Sequence, residues 1–490
     1  ALSITKLIKD RCGAFLAGRW EELWKGALQA PPVGAPNSRK QLPKDTFGSA
    51  ATDPVLHSAA HARHTRARRL ALSGNLSKAV GVLEETRLHD PTDPEVQAAL
   101  KDLHDPPTPL RPIPPPPPDI DTAAYAFTLN EELVVPAADG TDREVHVVAF
   151  VMEKLKNNIA QSLSGARYEH YKPLPVDVVA AMCDHILNDR LAAPTRAMLT
   201  SGKLIPLDKA PAPPQDPSLP EQADPPPPAP KKVRPVVVGE AIRRIAAKVA
   251  CVQDNDKLAK LLAAVNQYGI AIPGGVDYAY HLMRIHSEVL GREYEDYIEN
   301  CDDWCYTGEE DELPPPPDDD LVPGVLQFDG INAYPSTCRA MMLSQVQHKV
   351  PQWLRFARFC YAQPGRLVVM HNGKPVQEIK SNFGSQQGDP IGGHLFALAI
   401  YDLMHGLIQQ IPQAAIAWIV DDLTVSGNMR ELRQAIVYLQ QYGPAYGLVQ
   451  QCSAGKECSV YSSISRTLPD WRPHFPNPDY DPNEVPLGTP

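Results

Sequence analysis

Two short apolar segments that each end on an aspartate constrain the fold of this chain more than any other feature. One, residues 325–328, stops at Asp329. The other, residues 418–420, meets Asp421 and Asp422, after which an apolar segment resumes. Short apolar runs are typical of buried strands, and a strand that resumes after so short an interruption indicates a tight hairpin. We therefore expect two strand ends that carry carboxylates.

Adjacent carboxylates at the tip of a buried hairpin indicate a bound cation. Burying Asp421 and Asp422 is costly unless a positive charge neutralises them, and oxygen ligands of this kind suit divalent metals. The alternative is a solvent-facing turn, because Asp is common in turns. The stretch between Asp329 and Asp421 has room for a helix, two strands and another helix, enough to bring both strand ends into one sheet.

A polar, glycine-rich segment lies between the two aspartate strands. Residues 381–393 contain Gln387-Gly388-Asp389-Pro390 and run into an apolar stretch, His394–Ile408, that we expect to be a helix. The chain therefore contains, in this order, a strand that ends on Asp, a Gln-Gly turn before a helix, and a strand with paired Asp.

These segments resemble motifs A, B and C of reverse transcriptases, in particular those of non-LTR (LINE-type) retrotransposons. Motif B matches at Gln386-Gln387-Gly388-Asp389-Pro390-Ile391, whereas motif C departs from the family because Ile419 stands where an aromatic residue is usual. Motif A matches at Asp329, Asn332, Ala333, Tyr334 and Arg339.

The resemblance implies an α+β fold, a right-hand polymerase with fingers and palm. It also implies a missing or truncated thumb, since Leu487-Gly488 near the end of the sequence resembles only the opening of motif E. The pattern of residues 1–105 itself predicts a helical N-terminal extension. The implied activity is that of an RNA-directed DNA polymerase, a nucleotidyltransferase. Its partners would be an RNA template, a DNA primer and deoxynucleoside triphosphates, and its cofactor two Mg²⁺ ions, for which Mn²⁺ can substitute.

The resemblance also assigns roles to individual residues. Asp329 and Asp421 would bind metal with the Gly330 carbonyl as an extra ligand, and Asp422 would complete the catalytic set. A triphosphate needs cations that do not titrate near neutral pH, a requirement that Arg in particular meets. The residues expected to bind the nucleotide or template are Lys209, Arg234, Tyr334, Gln387, Gly388 and Lys456.

Two other functions stay open from the sequence. A decayed or domesticated retroelement protein would bind nucleic acid without catalysis, which the proline-rich insertions and Ile419 would allow. An RNA-dependent RNA polymerase shares the metal carboxylates, but Gly usually precedes its paired Asp, and here that residue is Val420.

Charge and proline content bear on domain organisation. The net charge of −11 has the wrong sign for a nucleic-acid binder, but many of the acids cluster within residues 291–320, which we expect to be a solvated insertion. The 52 prolines belong in linkers and insertions. The predicted parts are a helical extension (1–105), a proline-rich linker (106–124), fingers (125–290, with an insertion at 211–230), the acidic insertion (291–320) and the palm (321–490).

Nine scattered cysteines and the absence of a secretory signal indicate a reduced intracellular protein, in the nucleus or cytoplasm rather than secreted. No apolar run reaches the roughly 18 residues that a membrane span needs.

The remaining patterns predict individual elements. Residues 204–209 and 233–238 should pair as strands, and Asn372-Gly373 is a strong signal for a two-residue hairpin. Gln267-Tyr268-Gly269 resembles a Gln-x-Gly pattern of the family. The predicted helices are 4–24, 61–83, 94–103, 145–160, 176–188, 241–262 and 429–446.

Overall fold

The computed structural model describes residues 88–104, 111–136, 141–157, 159–208, 233–304, 319–450 and 459–461. The chain divides into two compact units, Ala1–Leu83 and Glu84–Pro490, and the described residues all lie in the second. The predicted helices 4–24 and 61–83, the insertion 211–230, Lys209 and Lys456 lie outside the described residues.

The described residues form a mixed α+β structure. Its helices are α1 (Pro94–His104), α2 (Val147–Lys154), α3 (Val176–Leu187), α4 (Ala193–Thr200), α5 (Ala241–Gln253), α6 (Asn255–Ala263), α7 (Gly275–Trp304), α8 (Ala333–Ser336), α9 (Arg339–Lys349), α10 (Leu354–Tyr361), α11 (Gly392–Ala399), α12 (Tyr401–Gln410) and α13 (Met429–Tyr446). Its strands are β1 (Leu133–Pro136), β2 (Asp142–Val145), β3 (Gly202–Asp208), β4 (Val233–Gly239), β5 (Pro323–Phe328), β6 (Gly365–His371), β7 (Lys374–Ser381), β8 (Ala415–Ile419), β9 (Asp422–Asn428) and β10 (Ser459–Tyr461).

One sheet has the strand order β10-β5-β9-β8 and holds the aspartate strands. Its strands are antiparallel, and Phe328 of β5 pairs with Leu423 of β9. Alternate side chains of β9 point to opposite faces. Leu423 and Val425 belong to a core that also contains residues of α12 and α13, whereas the Ser426 hydroxyl contacts Ser287 of α7 on the other face.

The other sheet has the order β4-β3-β6-β7 and combines antiparallel pairs with one parallel pair. The predicted pairing of β3 with β4 is confirmed, with Leu204 opposite Val237. The predicted hairpin at Asn372-Gly373 is also confirmed, since both residues have positive φ, 49° and 76°, as this turn requires. Helix α1 packs on this sheet through Val96 and Leu100.

Several elements differ in extent from their predictions. The predicted helix 241–262 is interrupted at Asp254, whose carboxylate accepts a hydrogen bond from the Trp353 indole at 2.5 Å. The predicted helix 394–408 is divided at Ile400. The acidic segment, expected to be irregular from residue 291, is helical as far as Trp304 because Tyr294 and Ile298 pack in the core that contains residues of β5, β8 and β9.

A buried ion pair connects helix α5 to the loop between β7 and α11. Arg243 of α5 lies 3.3 Å from the Asp389 carboxylate, and both side chains are 1% exposed. The Tyr361 hydroxyl donates to the same carboxylate at 2.7 Å, and Arg243 also donates to Gln386 at 3.2 Å. Burial alone would lower the pKa of Arg243, but the Asp389 carboxylate together with Cys360 and Tyr361 outweighs burial, and the pKa is raised. The pair therefore holds the Gln386–Asp389 loop against α5 and α10.

Replacing Asp389 with Asn should destabilise the protein by about 3–5 kcal/mol, because the Arg243 charge would be left buried and uncompensated. Urea unfolding measures the change. The control is Glu378→Gln, which removes an exposed partner of Arg366 at 2.8 Å and should cost no more than about 1 kcal/mol. Equal losses in the two variants would contradict a structural role for the buried pair.

Candidate active site

Asp421 lies in the turn between β8 and β9. The last pair of these strands is Ile419 with Asp422, so Val420 and Asp421 alone form the turn. The predicted hairpin with an aspartate at its tip is confirmed, although Asp422 is the first residue of β9 rather than part of the turn. Val420 has a φ of 61°, which is a rare conformation for a β-branched residue.

Asp329 follows the last residue of β5 at the same edge of the sheet. Since Phe328 pairs with Leu423, the antiparallel register brings Asp329 beside Asp422. The pKa of Asp422 is raised by partial burial, then by the carboxylates of Asp421 and Asp329. By surface area Asp329 and Asp421 are half-buried and Asp422 is exposed, so the burial that raises the pKa of Asp422 is crowding of its carboxyl group by neighbouring atoms and not removal from solvent. The fold therefore brings the three predicted carboxylates to one edge.

The donor set fits a magnesium ion that is bound partly by water or substrate. Among the described residues, no three acidic, histidine or cysteine side chains form a ready-made cage for a metal. Mg²⁺ does not require one, because it usually keeps several waters and takes one or two carboxylates together with substrate phosphates. Gly330, next to Asp329, is fixed by close packing, since a Cβ there would lie 2.7 Å from the Leu448 side chain.

Tyr334 lies close to this edge. Asn332, at a φ of 47° and a ψ of 40°, turns the chain between Asp329 and α8. The ring of Tyr334 stacks on Phe396 with centroids 5.2 Å apart and an interplanar angle of 15°. Burial, and secondarily the Asp421 charge, raises the pKa of Tyr334 to about 12. The phenol is therefore neutral at physiological pH and borders the carboxylates.

The Gln387-Gly388 turn lies against β4. The Val237 amide donates to the Gln387 carbonyl at 2.7 Å. Gly388 has a φ of 98°, and a Cβ there would come within 2.6 Å of the Val237 carbonyl oxygen, so this position accepts only glycine without a shift. The side-chain oxygen of Gln387 is buried and has no hydrogen-bond partner within the described part of the chain, which leaves it able to accept from a ligand.

Arg234 projects from β4 into solvent. It is exposed and pairs with Leu207 across the strands, on the face opposite the one covered by α1. Val237, three residues further along β4, bonds to the Gln387 carbonyl, so Arg234 and the Gln387-Gly388 turn lie on the same edge strand without a contact between them among the described residues. For Lys209 and Lys456, which lie outside the described residues, the assigned roles stay predictions, as do those of the other site residues.

Sequence reasoning did not assign a role to two buried polar residues that brace the site. Arg339 of α9 donates to the carbonyls of Ser381, Phe383 and Gly384 at 2.8–2.9 Å, and burial lowers its pKa to about 10. Gln267 bonds to the backbone of Val420. Both residues belong to patterns shared with the family, which was the signal available from the sequence.

An open cavity of about 960 Å³ lies away from the carboxylates. It is lined by residues of α4 and α10, among them Arg196, Arg355 and Phe359, and none of the predicted site residues borders it. Two arginines of the cavity wall bond to the backbone of residues 114–120. Arg355 donates to the Ile120 carbonyl and Arg358 to the Pro114 carbonyl.

Together, the fold and the site define an α+β protein with an acidic edge on one sheet, close to the ring of Tyr334, and a glycine turn packed against the other sheet. No protein-family model matches the chain, and no curated protein matches it. In the described residues, no helix is both long and apolar enough to cross a membrane.

Solved structures similar to the chain include two of apo telomerase from Candida tropicalis. One, truncated from the C-terminal domain, has a TM-score of 0.31 and 10% identity, over 58% of this chain and 57% of that one. The other has a TM-score of 0.35 and 9% identity, over 56% of this chain and 45% of that one. The chain thus spans about half the length of these neighbours, and similarity at this level establishes no activity for it.

Replacing Asp422 with Asn should raise the Tm of the metal-free protein by roughly 1–2 °C at neutral pH, since it removes a repulsion between surface charges worth up to about 1 kcal/mol. The folded-state pKa of Asp422 is raised, so ionised Asp422 costs stability above that pKa. The gain should therefore shrink as the pH falls through this raised pKa, and it should vanish below the ordinary Asp pKa of about 4, where the carboxyl is protonated in both the folded and the unfolded protein.

Thermal unfolding in EDTA at several pH values measures this effect. The control is Glu153→Gln, which removes an exposed carboxylate that faces Arg143 at 2.5 Å and should not raise the Tm. A pH-independent gain for Asp422→Asn would contradict the repulsion among the three carboxylates.

Proposed function

We propose that this chain is a metal-dependent, template-directed nucleotidyltransferase that synthesises DNA on an RNA template. The observation that carries the proposal is the convergence of Asp329, Asp421 and Asp422 at one sheet edge, with the pKa of Asp422 raised partly by the other two carboxylates. Like charges are brought together in a folded protein chiefly where a cation or a reaction needs them.

Asp329 and Asp421 are the residues that would hold Mg²⁺, with the backbone of Gly330 beside them. Bound metal would lower the pKa of the primer 3′-hydroxyl and neutralise the leaving pyrophosphate. Phosphoryl transfer asks little covalent chemistry of a protein, so the remaining residues act by positioning and charge. Asp422, on the same edge, adds negative charge that strengthens cation binding.

The neighbouring residues fit a nucleotide. Arg234 is exposed, and a guanidinium stays charged at all physiological pH values and matches phosphate geometry. The unpartnered side-chain oxygen of Gln387 can accept a hydrogen bond from a base or sugar. Tyr334, held flat on Phe396, offers its ring to the sugar.

RNA as template and a non-LTR retrotransposon as source are the finer parts of the proposal. Their support is the spacing of the three motifs, above all Asp329, Asn332, Ala333 and Tyr334 in motif A. The end of β5, the β8–β9 hairpin and the loop before α11 are present in the described residues, which is consistent with these motifs and supports the proposal.

Asp329→Asn and Asp421→Asn should each abolish primer extension while the protein stays folded. Losing one carboxylate weakens metal affinity and should cost several kcal/mol of transition-state stabilisation, which is at least about a hundred-fold in rate. Extension of a labelled primer in saturating Mg²⁺ measures this, and circular dichroism confirms folding. The matched control is Asp256→Asn, an exposed Asp in the first turn of α6, which should retain the wild-type rate.

The same assay distinguishes the alternatives when RNA and DNA templates, and deoxy- and ribonucleotides, are run in parallel. Incorporation of ribonucleotides only would favour an RNA polymerase. Nucleic-acid binding with no extension by the wild type would favour a binding protein. Near wild-type rates for Asp329→Asn or Asp421→Asn would contradict the assignment of the metal site.

Tyr334→Val should admit ribonucleotides, raising their relative kcat/KM by roughly ten-fold or more, on the order of 1.4 kcal/mol. The ring fills the space between Phe396 and Gly393, where a Cβ on Gly393 would lie 3.1 Å from the Tyr334 hydroxyl. A pocket wall rejects an added hydroxyl by volume, so Tyr334→Phe, which keeps the ring, should change little.

Single-nucleotide extension with matched ribo- and deoxynucleotides measures the ratio. If Tyr334 only supports the palm core, Tyr334→Val lowers the use of both nucleotides equally. An unchanged ratio of ribonucleotide to deoxynucleotide use would therefore contradict the proposed role of the ring in excluding the 2′-hydroxyl.

A further inference from the structure

The turn that carries Asp421 contains a strained residue. Val420 has a φ of 61°, and a β-branched side chain in the left-handed region is a true outlier. Such residues persist only where the surrounding structure holds them in place, and they cluster at functional sites. Contacts with neighbouring residues must therefore hold Val420 in this conformation.

Gln267 holds both backbone polar groups of Val420. Its side-chain oxygen accepts from the Val420 amide at 2.9 Å, and its side-chain nitrogen donates to the Val420 carbonyl at 3.0 Å. The same oxygen accepts from the Gly269 amide at 3.1 Å. Gln267 is fully buried, and these bonds give each polar atom of its amide a partner.

The chain around Gln267 runs directly beside the end of β8. The Tyr268 amide donates to the Trp418 carbonyl at 2.8 Å, and the Trp418 amide donates to the Asn266 carbonyl at 2.8 Å. A Cβ on Gly269 would lie 2.7 Å from the Val420 nitrogen. Residues 266–269 therefore brace the turn through both backbone pairing and the Gln267 side chain.

We propose that Gln267 is a positioning residue that fixes the Val420-Asp421 turn, and with it the Asp421 carboxylate, for metal binding. Neither Gln267 nor Gly269 touches the reacting groups. Their contribution is to make a strained turn rigid, so that Asp421 does not have to be ordered when the cation binds. The metal-binding part of this inference rests on the proposed function, whereas the clamp on Val420 does not.

The test compares Gln267→Leu with Gln345→Leu. Gln345 is also a buried glutamine in this unit, but it bonds to Asp402 and does not contact the turn. Hydrogen exchange should become faster in the peptide spanning 418–424 in Gln267→Leu only, because the Val420 amide loses its acceptor. Mn²⁺ binding, followed by the EPR signal of the free ion, should weaken by roughly ten-fold or more, as when a metal ligand loses its supporting hydrogen bond.

A second substitution separates positioning from general damage. Glycine adopts positive φ without strain, so adding Val420→Gly to Gln267→Leu should recover at least part of the Mn²⁺ affinity. A merely structural role would not allow recovery, because Val420→Gly supplies no packing. If Gln267→Leu does not fold, Gly269→Ala offers the same readouts, since its methyl group would push residues 266–269 away from the turn.

Each outcome has a distinct meaning. Faster exchange and weaker Mn²⁺ binding in Gln267→Leu, with recovery in the double variant and neither effect in Gln345→Leu, supports the proposal. Unchanged exchange at 418–424 overturns it whatever the metal result, and so does unchanged Mn²⁺ affinity despite faster exchange. If the wild type and Asp421→Asn bind Mn²⁺ equally, the proposed function fails and positioning for metal fails with it, while the exchange data still decide the clamp.

Discussion

The loop between β7 and α11 depends on charges that are removed from water. Arg243 and Asp389 lose their hydration on burial, a loss that the ion pair offsets only with good geometry and further hydrogen bonds. Tyr361 and Gln386 each supply one such bond, while Nε and Nη1 of Arg243 are buried with no hydrogen-bond partner among the described residues. Burial, and secondarily Asp389, raises the pKa of Tyr361 well above its ordinary value, so its hydroxyl remains a donor. The loop has little regular structure of its own, and its position against β4 follows from this pair.

A second buried arginine, Arg339, bonds to the backbone carbonyls at the start of the same loop. The guanidinium of Arg339 donates to carbonyl groups of Ser381, Phe383 and Gly384, which would otherwise be buried without partners. Because Arg339 begins α9, shortly after Asp329 and Tyr334 in the sequence, it ties the loop to the chain segment that follows the acidic edge. The Ser385 amide also donates to the Tyr334 carbonyl at 3.0 Å, so the loop and the segment of Tyr334 belong to one bonded framework.

The sequence predicted the elements that neighbouring residues determine, and it did not predict those that depend on contacts between distant residues. The turns at Asn372-Gly373 and at Asp421 were predicted because a few neighbouring residues determine a hairpin. Helix interruptions at Asp254 and Ile400 were missed, since Trp353, which holds Asp254, is distant in sequence. The helical start of the acidic segment was missed because its charges suggested solvation, whereas Tyr294 and Ile298 find a core.

The candidate site was likewise predicted only where it depends on neighbouring residues. The carboxylates were found because each follows a strand, but their mutual effect on Asp422 needed the register of β5 and β9. The clamp on Val420 was not predicted, since the Gln-x-Gly pattern at residues 267–269 marks the segment but does not show which backbone groups Gln267 contacts. Positive φ at Val420 likewise leaves no trace in the sequence, because a β-branched residue argues against it.

The parallel pairing of β3 with β6 has a consequence for how the chain reaches this structure. Gly202–Leu204 join Leu367–Val369, and each paired residue lies 165 positions from its partner in the sequence, whereas β6–β7 and β8–β9 close through two-residue turns. Contacts between distant segments bear the entropy of a long loop before any bond forms. The hairpins should therefore assemble early and the β4-β3-β6-β7 sheet late. During synthesis, β3 and β4 would wait for β6 with an uncovered strand edge, which is the stage at which this chain is most exposed to misassembly.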